Sequence, residues 1–185
     1  MKRRFLRLIL PCLLLLPAVA SRADQMIPLS VAELTSEADV VIQGKVVSTT
    51  IKRDPEGRIY TSVDLLVEDV WKGHVATNHF TLVRGGGVLG LEVSEVSGEA
   101  DYDVGEELVS FMVLNQRGEG VSIGLSQGKF FVSRDAASGE KLVHNRFHGL
   151  HPSKPNPPAV GPAATQIQNR LTLAGLKEQV VGGAK

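Results

Sequence analysis

Cysteine is all but missing from these 185 residues, and the one present, Cys12, lies in a short apolar run near the amino terminus. No disulfide framework can be drawn from it, so the chain must stand on its hydrophobic core. An excess of one charge sign is missing too: 20 Lys and Arg balance 20 Asp and Glu. Without basic excess there is no electrostatic reason to seek nucleic acid. The longest apolar run, residues 8–20 (LILPCLLLLPAVA), is too short to cross a bilayer between charged flanks. Nothing repeats at a fixed period, which excludes solenoids and propellers.

What is present begins with the pattern of an export leader. Lys2, Arg3, Arg4 and Arg7 precede the apolar run, and small residues follow at signal-peptidase spacing, Ala18/Ala20 or Ser21/Ala23. The expectation is a signal peptide over 1–23, cleaved after Ala20 or Ala23, and a secreted or periplasmic protein with no stable membrane anchor. A retained membrane helix is the alternative reading. Cys12 has no small-residue lipobox before it, which argues against lipid attachment. Cleavage after Ala23 removes Lys2, Arg3, Arg4, Arg7 and Arg22 but no acidic residue, leaving a mildly acidic, cysteine-free chain of one domain's size.

Residues 30–38 (SVAELTSEA) read as a short helix, with Ser30 and Glu33 spaced for a capping box. Beta-branched density then predicts strands at 40–51 and 59–71, joined through DPEG (54–57), whose Asp, Pro and Gly suit a type I turn. Further strands are expected at 79–84, 88–93, 107–114, 121–125, 129–134 and 141–145, with glycine in nearly every gap. Many short strands with almost no interleaved helix predict an all-β barrel or sandwich over 24–150. Residues 151–164 are proline-rich and read as a semi-rigid linker. The 165–185 segment is expected to end in a helix over 172–181, capped by Thr172.

ADVVIQGKVV (38–47), YTSVDLLVEDVWKG (60–73) and GEELVSFMV (105–113) together resemble the netrin-like domain shared with the tissue inhibitors of metalloproteinases. They are also similar to a group of bacterial exported proteins with the same layout. The resemblance covers roughly residues 38–133 and implies an all-β fold, an OB-type barrel with a short N-terminal helix and a C-terminal helix. It implies packing roles for its motif residues: Trp71 filling or covering one end of the barrel, Gly44 letting a long strand coil, and Leu108, Phe111 and Val113 entering the core. The inhibitors' amino-terminal cysteine and disulfides have no counterpart here, so their zinc-chelating mechanism is not carried over.

Three stretches look chemical. HNRFHGLH (144–151) places His144, His148 and His151 at spacings of four and three, which on a helix could hold zinc or copper. Asn145, Gly149 and Pro152 disfavour that helix, so a solvated or interfacial loop competes with the metal site. GLSQG (124–128) spells a nucleophile elbow at Ser126, with Asp135 and His148 following in hydrolase order. That motif needs a helix after the serine, and KFFVSR reads as strand; a tight hairpin linking 121–125 to 129–134 explains the same letters. RGGGVLG (84–90) lacks the helix and lysine of a phosphate loop and reads as a hairpin connection or part of a binding rim. Glu92, Glu95, Glu99, Asp101 and Asp103 lack EF-hand spacing. The sequence thus predicts an exported non-catalytic binding module for a protein, peptide or glycan partner. Zinc or copper binding is the alternative, and a serine hydrolase ranks behind both.

Overall fold

A computed structural model describes residues 27–149 and 170–183. The expected leader, His151, the proline-rich stretch and Cys12 lie outside the described residues.

The chain opens with α1 (Val31–Glu37), and the anticipated capping box is formed: Ser30 Oγ accepts from Glu33 N–H, and the Glu33 carboxylate accepts from Ser30 N–H at 2.7 Å. Val31, Leu34 and Ala38 share its buried face. The helix stops at an extended Ala38, and Asp39 ties the junction down, its N–H donating to Met112 O and its carboxylate accepting from Leu114 N–H. Lys72 Nζ donates to Thr35 O at 2.6 Å, placing a cation at the helix's open carbonyl end.

Among the described residues nine strands follow: β1 (Val40–Arg53), β2 (Ile59–Lys72), β3 (His79–Gly85), β4 (Gly87–Leu89), β5 (Glu92–Ser94), β6 (Glu107–Leu114), β7 (Gly120–Ser122), β8 (Lys129–Arg134) and β9 (Lys141–His144). The last element is α2 (Leu173–Gly183), with Thr172 Oγ1 accepting from Gly175 N–H as the expected cap. Among the described residues the protein is mostly β, with two helices. Seven strands form one sheet in the order β1-β2-β3-β7-β6-β8-β9, and β1 also pairs with β6, so five of them close a ring. The seam of that ring is thin: β3 meets β7 in parallel at Leu82↔Gly120 alone.

Side-chain alternation divides the core in two. Val40, Ile42, Val63, Leu65, Leu82, Leu108 and Met112 point into the ring. Val41, Val109, Phe111, Phe130 and Val143 point outward and are covered by Leu34 of α1 and by Leu176 and Val180 of α2. The C-terminal helix is therefore strapped onto the sheet. It is held further by Lys177–Asp69 at 2.6 Å.

Several expectations need correction. Trp71 belongs to the outer, helix-covered cluster rather than to an end of the ring, its Nε1 donating to Asp69 at 3.0 Å. Val113 is 38% exposed, because β6 has passed the edge of both clusters by then. The single strand expected at 88–93 is two, β4 and β5, folded back about Gly90 at φ +64°, the conformation that the first turn position of a II′ hairpin requires. Finally, β7 and β8 do not form a hairpin with each other. Both pair with β6, end to end along the same edge, and 123–128 is a loop inserted into what is otherwise one continuous line.

Candidate functional site

The two stretches that looked most chemical meet in space and form one structural device. Residues 123–128 leave the β7–β8 line and return, closed by Gly128 N–H to Ile123 O at 2.8 Å. Gly124 and Leu125 both adopt left-handed backbone, Leu125 at φ +63°, an uncommon conformation for a non-glycine residue. The loop presents the buried Gln127, whose amide grips the backbone ahead of α1: Oε1 accepts from Leu29 N–H at 2.8 Å and Nε2 donates to Ile27 O at 3.2 Å. Asn145 Nδ2 donates to Gln127 O at 2.7 Å, and Asn145 Oδ1 accepts from the Phe147 and His148 N–H groups, folding 145–148 into a turn. That turn carries His148 onto Phe130 and brings its Nε2 to Leu29 O at 2.7 Å.

His148 is thereby occupied as a backbone clamp, with Nε2 donating the proton. His144 stacks on Phe131, 5.5 Å between ring centroids. Phe130 and Phe131 are neighbours on one strand and so face opposite ways, which puts the two imidazoles on opposite sides of the sheet. Among the described residues, no three His, Cys, Asp or Glu side chains form a group that could hold a metal ion. His79 lies elsewhere, 3.0 Å from Asp64 across β2 and β3. Asp135, the hydrolase-order acid, pairs with Arg170 at 2.6 Å, and a strand rather than a helix follows Ser126.

Burial pushes the His148 pKa below its ordinary 6.5, with the Leu29 carbonyl pulling weakly the other way. The folded protein thus prefers neutral His148, while the unfolded chain takes up a proton from about pH 6.5 downward. Stability should fall as pH drops through that value and level off below the folded-state pKa. Urea titrations at pH 7.5 and 5.0 should show a smaller loss for His148→Gln than for the parent; equal losses would remove His148 as the cause.

A cleft of about 610 Å³ opens where the ring is thinnest. Two turns wall it, each built by its first residue. In the β1–β2 turn, Asp54 Oδ1 accepts from Arg58 N–H at 2.8 Å and Gly57 completes the reversal at φ +86°. In the β6–β7 turn, Asn115 Oδ1 accepts from the N–H groups of Arg117 and Glu119, and Gly118 completes it at φ +74°. Ile59, Tyr60, Val83 and Val121 give the cleft an apolar lining, with Arg58, Arg84 and Arg117 among them. Arg58 finds its carboxylates, Asp54 and Glu56, within the cleft. The partners of Arg84 and Arg117, Asp101 at 3.1 Å and Glu119 at 2.7 Å, are not part of the lining. Arg117 also sits over the Tyr60 ring, 5.6 Å from its centroid.

Of the cleft residues, the sequence singles out the Asp54–Gly57 turn, the Arg84–Gly85 stretch as a rim, and Glu99 within an acidic cluster. NQRG (115–118) carries the same Asx-first, glycine-last signal as DPEG and could have been read the same way. Nothing local marks Gln127 or Tyr60.

The site thus belongs to a mostly-β protein whose five-stranded ring is closed but thin at one seam, with a cleft lying there. No protein-family model matches the chain, and no curated protein matches its sequence.

Proposed function

We propose that this chain is an exported, non-catalytic binding module, an OB-type barrel of the netrin-like kind that takes a protein, peptide or glycan in the cleft at its seam. The observation that carries the reading is where the cleft lies. Numbered by chain order alone, the ring strands run 1-2-3-5-4-1 with a parallel contact between the third and fifth, the Greek-key order of an OB barrel. The cleft is bounded by the turn between its first and second strands, the turn between its fourth and fifth, and the ends of strands two and three. Those are the loops and the face with which OB barrels hold ligands. Tyr60 and the guanidinium groups supply what such a face needs, an aromatic platform and fixed donors.

Among the described residues no helix is long and apolar enough to cross a membrane. The export reading rests on the leader pattern of residues 1–23. A photo-crosslinking side chain placed at Tyr60, in the export compartment of a host that makes the protein, should trap one discrete partner. The same group at Gln179 on the exposed side of α2 should trap none. Equal labelling from both positions, or none from Tyr60, would sink the cleft as the binding site.

A further inference from the structure

Among the described residues, the cleft contains a sheet edge that no strand covers. β3 is paired along its inner side with β2, from Tyr60↔Gly85 to Leu66↔His79. On its outer side it pairs with β7 only at Leu82↔Gly120, and residues 83–85 continue past that point into the cleft lining. A strand edge left this way offers main-chain donors and acceptors to whatever extended chain arrives. In this protein two of them already have substitute partners: Gly85 O accepts from Arg84 Nη1 at 3.2 Å, and Gly85 N–H reaches the Glu99 carboxylate at 3.4 Å, a long contact in the position a neighbouring strand's carbonyl would take.

We propose that an extended polypeptide carrying an acidic side chain adds to β3 at residues 83–85, displacing Glu99 from Gly85 N–H and setting its carboxylate against Arg84 and Arg117. The inference rests on the cleft being the binding site and names what it binds. Strand addition supplies affinity through the main chain and selectivity through alternate side chains. The apolar lining of Tyr60, Val83 and Val121 suits one set of alternating side chains. The charge argument selects acidic residues for the others. Arg84 and Arg117 line the cleft while the carboxylates they pair with do not. Arg84 holds Asp101 and Gly85 O, and Arg117 holds Glu119 through Nε and Nη2, so an incoming acidic side chain competes for them. A guanidinium fork takes a carboxylate in two parallel bonds, which a hydroxyl-bearing sugar does not match. Glu99 is a gate of modest strength, because its contact is long and it offers one acceptor where a strand would offer a ladder.

The test uses the full chain and a fluorescein-labelled octapeptide of alternating valine and glutamate. Two controls accompany it: the same peptide with lysine for glutamate, and one with alternate amides N-methylated. The acidic peptide should bind and slow amide exchange at residues 83–85. N-methylation on the pairing edge should weaken it about tenfold or more, since it removes main-chain bonds and leaves side chains in place. Arg84→Gln and Arg117→Gln should each weaken binding about fivefold, and the lysine peptide should not bind. Glu99→Ala should tighten binding severalfold and Glu99→Gln by less, because glutamine keeps an acceptor at Gly85 N–H. That gain cannot come from misfolding. No binding, or equal binding of the N-methylated peptide, overturns strand addition. If the Tyr60 cross-linker still traps a partner in that case, the cleft reading stands and only the identity of its occupant falls.

Discussion

Glu106→Ala is expected to destabilise the fold by about 3–5 kcal/mol, the cost of leaving a buried charge without its partner. The charge is Lys129, only 1% exposed. β8 aims its side chain into the ring beside Ser110, where Nζ donates to Asp101 O and to Glu106 Oε2 at 2.7 Å. The ammonium also lies 4.4 Å from the Tyr102 ring centroid and 4.1 Å from that of Phe131. Burial holds the lysine pKa below its ordinary value, with Glu106 opposing that shift. The same burial pushes the Tyr102 phenol up to about 12. Lys129→Met should behave differently. It fills the same space with an apolar chain and leaves Glu106 close enough to the surface to be hydrated, so its cost should stay within about 1 kcal/mol in either direction. Denaturant unfolding of the two variants decides the matter. Equal destabilisation would mean that the lysine contributes by its own charge and not through the pair.

Gly128→Ala is expected to cost about 3 kcal/mol, whereas Ser126→Ala should stay within about 0.5 kcal/mol of the parent. A nucleophile elbow would reverse that importance, since its serine carries the chemistry. Here a Cβ at residue 128 would stand 2.6 Å from Phe111 O and 2.9 Å from both Ile123 N and Ser122 Oγ. Two of those three atoms are backbone atoms in the ladder that closes the loop, so little can give way. Loss of Gly128 should also loosen Gln127, the next residue, and with it the clamp on residues 27–29. Amide exchange at Leu29 and Ser30 should quicken in Gly128→Ala even at temperatures where the sheet remains folded. Unchanged exchange there would separate the loop from the clamp.

The two histidines show why local spacing misleads. At positions 144 and 148 they are four apart, which matters only on a helix. Here the first ends a strand and the second follows a turn held by Asn145, so the rings part to opposite sides of the sheet. The serine motif fails in the same way: its letters describe a turn between two extended pieces, and only the sheet pairing shows that both pieces lie against β6. The cleft was illegible for a different reason. Tyr60, Arg84 and Arg117 are far apart in the chain and meet only because the ring closes on itself.

Local rules that act within a few residues were settled by the sequence alone. The capping box of α1, the Thr172 cap of α2, the DPEG reversal and the positions of β1, β2, β3, β6 and β8 each depend on neighbours along the chain, and the structure has them where the residues indicate. What tertiary structure decided was every matter of partnership. It set which face of β6 meets the ring interior and which meets the helices, why Trp71 lies outside, where Lys129 finds its carboxylate, and where a seam is left open. These depend on closure of the sheet between residues far apart in the chain. A hydrophobic pattern with a period of two marks two faces on a strand, but it cannot say what will cover either of them.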